Sequence, residues 1–204
     1  MKVAIIDYEA GNLKNVERAA QRAGLSVMVT RNREDIRRAK ALILPGVGAM
    51  KDAMDHLQKF HLDEAIREEV KQGKKLMGIC LGMQALYTLS EEGGEIPALD
   101  LLPGRISLFP KGTLKIPHMG WNELILRREH PSLEGLPPHP YVYFVHSYYK
   151  TPTDSEDVVA TADYGVQVPA VVGKNNILGF QFHPEKSGDV GLKIWKNTAK
   201  WLMT

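Results

Sequence analysis

The sequence predicts an α/β fold: an open, mostly parallel, twisted sheet flanked by helices, with an antiparallel, β-rich portion in the C-terminal half. Three observations carry this expectation. Up to Ser90, short apolar runs alternate with helix-period segments, the pattern of successive βαβ units. Past Glu91-Glu92-Gly93-Gly94 the texture changes to strand-like runs with prolines between them, which points to antiparallel pairing. The 204 residues contain no repeat, low-complexity tract or linker, so one domain, 1–204, is expected, burying roughly 70% of the surface exposed on unfolding.

Each element follows in order. Residues 2–7 form an apolar first strand. Leu13, Val16, Ala20 and Ala23 then recur at helical spacing, with Asn12 as a candidate N-cap and Gly24 placed to end the helix. Residues 26–30 read as a second strand, 33–38 as a short charged helix, and 41–44 as a third strand running into Pro45-Gly46-Val47-Gly48. Leu62, Ala65, Ile66 and Val70 mark an amphipathic helix closed by Gly73, and 75–79 make a fourth strand that delivers Cys80. From Leu81 to Leu89 the pattern reads as helix. Strand-like runs follow at 105–109, 123–127, 141–147 and 157–162. Val168–Val172 and Ile177–Phe182 read as a hairpin around a loop longer than two residues, and a closing helix covers 188–203.

Composition excludes several function classes. Hydrophobic residues make up 44% and charged residues 25%, an ordinary globular balance that excludes disorder as the main state. Lys plus Arg number 26 against 24 Asp plus Glu, so there is no large field to attract nucleic acid or anionic lipid. The apolar N-terminal run is cut short by Asp7, too early for a secretory signal, and the longest later one is broken by Pro45, Gly46 and Gly48. The single cysteine, Cys80, excludes an internal disulfide framework and fits a reducing compartment. A cytoplasmic protein with no membrane contact is expected.

That one thiol stands in a telling context. Gly78-Ile79-Cys80-Leu81-Gly82 places it where a predicted strand turns into a predicted helix, with glycine two residues to either side. Small neighbours permit the tight turn that lifts a nucleophile above a sheet. The start of the following helix favours the thiolate, and the Leu81 N–H is placed for an oxyanion hole. A nucleophilic cysteine needs a base held by a third group. His183-Pro184-Glu185 follows an apolar run, and at extended spacing the Glu185 carboxylate comes alongside the His183 ring. Pro45 to Gly48, after another strand end, can aim backbone N–H groups at an anion, although it matches neither phosphate-loop fingerprint. The glycine-flanked Val47 peptide can also turn at low steric cost. His118, His146 and His183 show no metal-ligand spacing, so neither metal nor cofactor is expected.

Gly78 to Gln84, His183-Pro184-Glu185 and the Pro45–Gly48 loop together resemble the class I, triad-type glutamine amidotransferases. Within that family, Pro117-His118-Met119-Gly120-Trp121-Asn122, Tyr143 to Tyr149 and Gly179 to Ser187 resemble the glutaminase subunits of imidazole glycerol phosphate synthases. Met50-Lys51, after the glycine loop, and Pro97 to Asp100 depart from the family pattern. The resemblance implies glutamine hydrolysis with Cys80 as nucleophile, His183 as acid and base, and Glu185 as its orienter. Val47 and Leu81 would supply oxyanion N–H groups, while Gly48 and Gln84 would seat glutamine. A synthase or cyclase barrel subunit would form a heterodimer with the chain and receive the ammonia. Asn12, Trp121, Tyr143 and Lys186 are the implied partner contacts, set against a helix cap for Asn12, core packing for Trp121 and Tyr143, and a solvated charge for Lys186. Glutaminase subunits of anthranilate or aminodeoxychorismate synthases, a non-catalytic subunit on the same fold, and a cysteine peptidase stand as alternatives.

Overall fold

The computed structural model of the chain describes residues 2–112 and 114–204. Its strands are β1 (Val3–Ile6), β2 (Val27–Thr30), β3 (Ala41–Leu44), β4 (Lys75–Ile79), β5 (Tyr87–Ser90), β6 (Ile96–Pro97), β7 (Leu102–Leu108), β8 (His118–Glu123), β9 (Ile125–Leu126), β10 (Tyr141–His146), β11 (Tyr148–Thr151), β12 (Val158–Asp163), β13 (Gln167–Lys174) and β14 (Ile177–Phe180). The helices are α1 (Leu13–Arg22), α2 (Arg33–Arg38), α3 (Met50–Lys59), α4 (Leu62–Lys71), α5 (Leu81–Gln84) and α6 (Gly188–Met203).

An eight-stranded sheet runs β2-β1-β3-β4-β14-β13-β12-β9. The first five strands are parallel and the last three antiparallel. Every residue of β1 and β3 is buried, as expected for parallel strands covered on both faces. Because successive side chains alternate, Ala4, Ile6, Leu42 and Leu44 enter one core with Ile36, Leu57 and Ile66 from α2, α3 and α4. Val3, Ile5, Ala41 and Ile43 enter the other core with Val16 of α1 and Ile194 and Trp195 of α6. A four-stranded sheet, β11-β7-β5-β6, and a two-stranded ribbon, β10-β8, complete the fold. Strands β1, β3, β4 and β14 run in one direction, so the segments after Ile6, Leu44, Ile79 and Phe180 gather at one edge, where open α/β sheets hold ligands.

Several expectations are corrected. The helix over Leu81–Leu89 is only the four residues of α5, and Tyr87–Ser90 is a strand between β7 and β6. Tyr87 is drawn out of any helix by a 2.5 Å hydrogen bond from its hydroxyl to buried Asp157. The run at 123–127 is split, with β8 beginning at His118 and β9 holding only Ile125–Leu126. Lys174 pairs with Ile177, so the β13–β14 hairpin has a two-residue turn with Asn175 in the left-handed region at φ 53°. Asn12 precedes α1 as expected but sits at φ 73° and makes no side-chain cap. Helix α3 and strands β5, β6 and β11 lie outside the sequence expectations. Among the described residues, no helix is long and apolar enough to cross a membrane.

Candidate active site

Cys80 stands at the end of β4 with φ 53° and ψ −111°, a conformation that L-residues rarely adopt and that surrounding structure must hold. The glycines around it show how. A Cβ on Gly78 would lie 2.7 Å from the Gly82 carbonyl oxygen, and one on Gly82 would run into the Leu44 carbonyl of β3. The Cys80 N–H donates to Phe180 O at 2.7 Å, tying the turn to β14.

His183 follows β14, its side chain 1% exposed, and its N–H donates to Tyr143 O of β10 at 3.0 Å. Nδ1 lies 2.7 Å from Oε1 of Glu185, whose side chain is fully buried. A carboxylate oxygen accepts, so Nδ1 carries the proton and Nε2 is the free nitrogen. Nε2 is buried with no hydrogen-bond partner among the described residues. Burial works against a charged ring, but the Cys80 sulfur and the Glu185 carboxylate outweigh it and lift the His183 pKa to about 9. The structure therefore brings Cys80, His183 and Glu185 together.

Asn12 joins them in a role that a helix cap does not describe. Its Nδ2 donates to Oε1 of Glu185 at 2.6 Å, and its Oδ1 accepts from Asn15 at 2.8 Å. The left-handed backbone at Asn12 turns its side chain away from the helix N-terminus and toward the carboxylate.

A cavity of about 330 Å³ opens over Cys80 and His183, and Val47, Gly48, Leu81 and Gln84 all line it. The loop before Val47 is held firmly: Tyr8 donates to Pro45 O at 2.7 Å, and a Cβ on Gly46 would meet the Tyr8 hydroxyl at 2.5 Å. Val47 itself is 38% exposed, and Gly48 adopts φ +97°. Gln84 Nε2 donates to Tyr148 O at 2.9 Å. Sequence reasoning missed Glu92, Pro117, Val145, His146, Ser147 and Tyr148 as pocket walls. Pro117 and the last four lie within motifs quoted for the family resemblance, which was their available signal. Glu92 accepts from the Met50 N–H at 2.9 Å, and burial raises its pKa.

The remaining candidates divide. Trp121 is 56% exposed, which rules out core packing, and its ring meets that of half-buried Tyr143 edge-on at 6.2 Å across the β8–β10 register. Met119 and Tyr141 extend this exposed apolar surface. Lys186 is exposed immediately after Glu185.

A family profile described as glutamine amidotransferase class-I matches residues 4–199. The chain belongs to the class I glutamine amidotransferase family. Among relatives in that family, imidazole glycerol phosphate synthase subunit HisH of Geobacillus thermodenitrificans is 48% identical over 197 residues, covering 94% of this chain and 92% of the relative. The subunit of the same name from Caldanaerobacter subterraneus subsp. tengcongensis is 46% identical over 200 residues, 98% of each chain. That of Bacillus cereus is 50% identical over 195 residues, 96% of this chain and 92% of the relative. A solved glutamine amidotransferase superposes with a TM-score of 0.76 at 22% identity over 98% of each chain. PurLQS from Thermotoga maritima does so with a TM-score of 0.74 at 18% identity, also over 98% of each. These more distant structures share the amidotransferase fold.

Proposed function

We propose that the chain, residues 1–204 as one domain, is the cytoplasmic glutaminase subunit of an imidazole glycerol phosphate synthase. It hydrolyses glutamine to glutamate and passes ammonia to a synthase subunit bound as a heterodimer. The observation that carries this reading is the Glu185–His183 pair set beside Cys80 on a strained turn. The identity to relatives named as subunits of that synthase supports the choice of partner.

The chemistry follows from the geometry. His183 Nε2 takes the Cys80 thiol proton before the attack, Sγ then adds to the glutamine carboxamide carbon, and the N–H groups of Val47 and Leu81 receive the developing oxyanion. His183 then gives the proton to the departing ammonia. Water, deprotonated by the same nitrogen, clears the γ-glutamyl thioester. Glu185 keeps Nδ1 protonated throughout and stabilises the ring when it is charged. Glu92 supplies a carboxylate suited to the substrate's ammonium group, and the cavity of about 330 Å³ is of the right order for one amino acid.

The test is Cys80→Ala or Cys80→Ser in the chain reconstituted with its synthase subunit. Glutamine-dependent synthesis disappears, while synthesis from added ammonium salt persists. Glutamine-dependent activity surviving in either variant overturns the assignment.

A further inference from the structure

Gln181 lies between β14 and His183, fully buried. Its backbone N–H is used by Ala170 O at 2.9 Å, which leaves the side-chain amide to account for. One carbonyl dictates how that amide is turned. A carbonyl oxygen only accepts, so the Gln84 atom 2.9 Å from Tyr148 O is its nitrogen. That nitrogen lies 3.0 Å from a side-chain atom of Gln181, which must be the oxygen. The Gln181 nitrogen is thereby directed to Cys80, 4.0 Å from Sγ.

The arrangement resists inversion. His146 Nδ1 donates to the same Tyr148 oxygen at 2.7 Å, so both of that oxygen's acceptor positions are filled, and turning Gln84 over would set its carbonyl oxygen against the Tyr148 oxygen. With Nδ1 protonated, His146 Nε2 accepts from His118 Nδ1 at 2.9 Å, and His118 Nε2 faces the Asn122 amide at 3.2 Å. Turning Gln181 over would oppose its N–H₂ to that of Gln84 and set a carbonyl oxygen beside the sulfur.

We infer that Gln181 is a positioning residue for Cys80, its N–H locked by Gln84 and the Tyr148 carbonyl so that it points at Sγ and favours the sulfur anion. The purpose of this contact rests on the glutaminase reading; the contact itself does not. At the outer reach of an N–H···S interaction the gain for a neutral thiol is small, and it grows as charge builds on sulfur.

Cys80 is the only cysteine in the chain, so alkylation by iodoacetamide reads one sulfur. Rates are measured across the neutral and alkaline range for wild type, Gln181→Met and Gln181→Glu, with thermal melts alongside. Loss of the donor slows alkylation at neutral pH by about three- to tenfold in Gln181→Met, and more in Gln181→Glu, with the alkaline plateau unchanged. A merely structural role moves the plateau upward instead, because loosening the wall exposes a sulfur whose residue is only 7% accessible. Superimposable pH profiles, or a raised plateau with an unmoved midpoint, overturn the proposal. Gln181→Glu keeps the length of the side chain and its acceptor for Gln84, so the test stands should the methionine variant fail to fold. In complex with the synthase subunit, kcat for glutamine falls in step with alkylation and KM changes less. A shifted alkylation profile in a protein whose wild type turns over no glutamine would end the glutaminase reading and leave the Gln181 contact intact.

Discussion

Asn12 and Glu185, 173 residues apart, are joined by a 2.6 Å hydrogen bond from Asn12 Nδ2 to Glu185 Oε1, the oxygen that also faces His183 Nδ1 at 2.7 Å. Two donors converge on one carboxylate oxygen, so the orientation of the His183 ring depends on a residue at the far end of the chain. The left-handed backbone at Asn12, φ 73°, makes this possible, since asparagine tolerates that region better than most residues.

Asn12→Ala is expected to lower glutaminase kcat by about three- to tenfold with little change in KM, as a hydrogen bond to a charged group is worth roughly 1.5–3 kcal/mol and only part is felt in the transition state. Asn12→Asp should cost more, because a second carboxylate then opposes Glu185. Steady-state kinetics of the assembled complex decide this, and wild-type kcat in the aspartate variant would reduce Asn12 to a bystander.

The two glycines closest to the chemistry should respond differently to alanine. At Gly82 the new methyl would strike the Leu44 carbonyl, part of a strand that cannot retreat. Gly82→Ala is expected to lose upwards of about 3 kcal/mol. At Gly48 nothing lies within 4 Å of the added atom, and only the φ of +97° opposes it. Gly48→Ala should cost about 1–2 kcal/mol and leave a folded protein. Urea unfolding of both variants checks the order, and equal losses would show that the Leu44 carbonyl gives way to the new methyl at Gly82.

The same residues show why some of the fold is legible in sequence and some is not. Strands β1 and β3 read as unbroken apolar runs, and β4 as one after Lys75, because both faces are covered. The triad is legible because its residue types carry chemistry and sit where strands end. Helix α3 carries a helical pattern too, since Met50, Ala53, Met54 and Leu57 recur at helical spacing, yet it starts directly after the Pro45–Gly48 loop with no side-chain cap to mark it. Strand β5 is different. Nothing local ends the helical pattern of 81–89; what ends it is Tyr87 reaching Asp157, 70 residues on, and pairing with β7. Glu92 becomes a pocket wall only once these long-range contacts are made, and no short motif announces it, whereas Ser147 and Tyr148 lie inside the Tyr143–Tyr149 motif.

Buried histidines predict the acid limit of stability. Burial drives the pKa of His118 down to about 4 and that of His146 to about 3, so both are neutral in the folded protein. The unfolded chain binds protons at these sites from about pH 6.5 downward. It therefore holds more protons than the native state in that window, and stability falls as pH drops from 6.5 toward 4 and 3, by on the order of 3 kcal/mol for His118 and about 5 kcal/mol for His146. His183 acts in the opposite sense: with its pKa raised to about 9, its contribution is complete below about 6.5 and is lost as pH rises through 9. Urea unfolding against pH should show both limbs. His146→Gln should flatten the acid one and His183→Gln the alkaline one, and an acid limb unchanged by His146→Gln would contradict the neutral, buried state of that ring.

Trp121 tests where the partner sits. Its ring is 56% exposed, with Met119 at 61% and Tyr141 at 49% on the same ribbon, and an exposed apolar patch of this kind marks a docking surface more often than a packing site. Exposed aromatic residues at the centre of an interface commonly carry 2 kcal/mol or more of its energy. Trp121→Ala is therefore expected to weaken binding of the synthase subunit by about 30-fold or more, while unfolding stability of the free chain stays within about 0.5 kcal/mol of wild type. Lys186→Ala, removing an exposed charge beside Glu185, should have a smaller effect that shrinks as salt is raised. Titration calorimetry against the synthase subunit, run beside urea unfolding of the free variants, separates the cases. Unchanged affinity with lowered stability in Trp121→Ala would assign that ring to holding the β8–β10 ribbon together and leave the docking surface elsewhere.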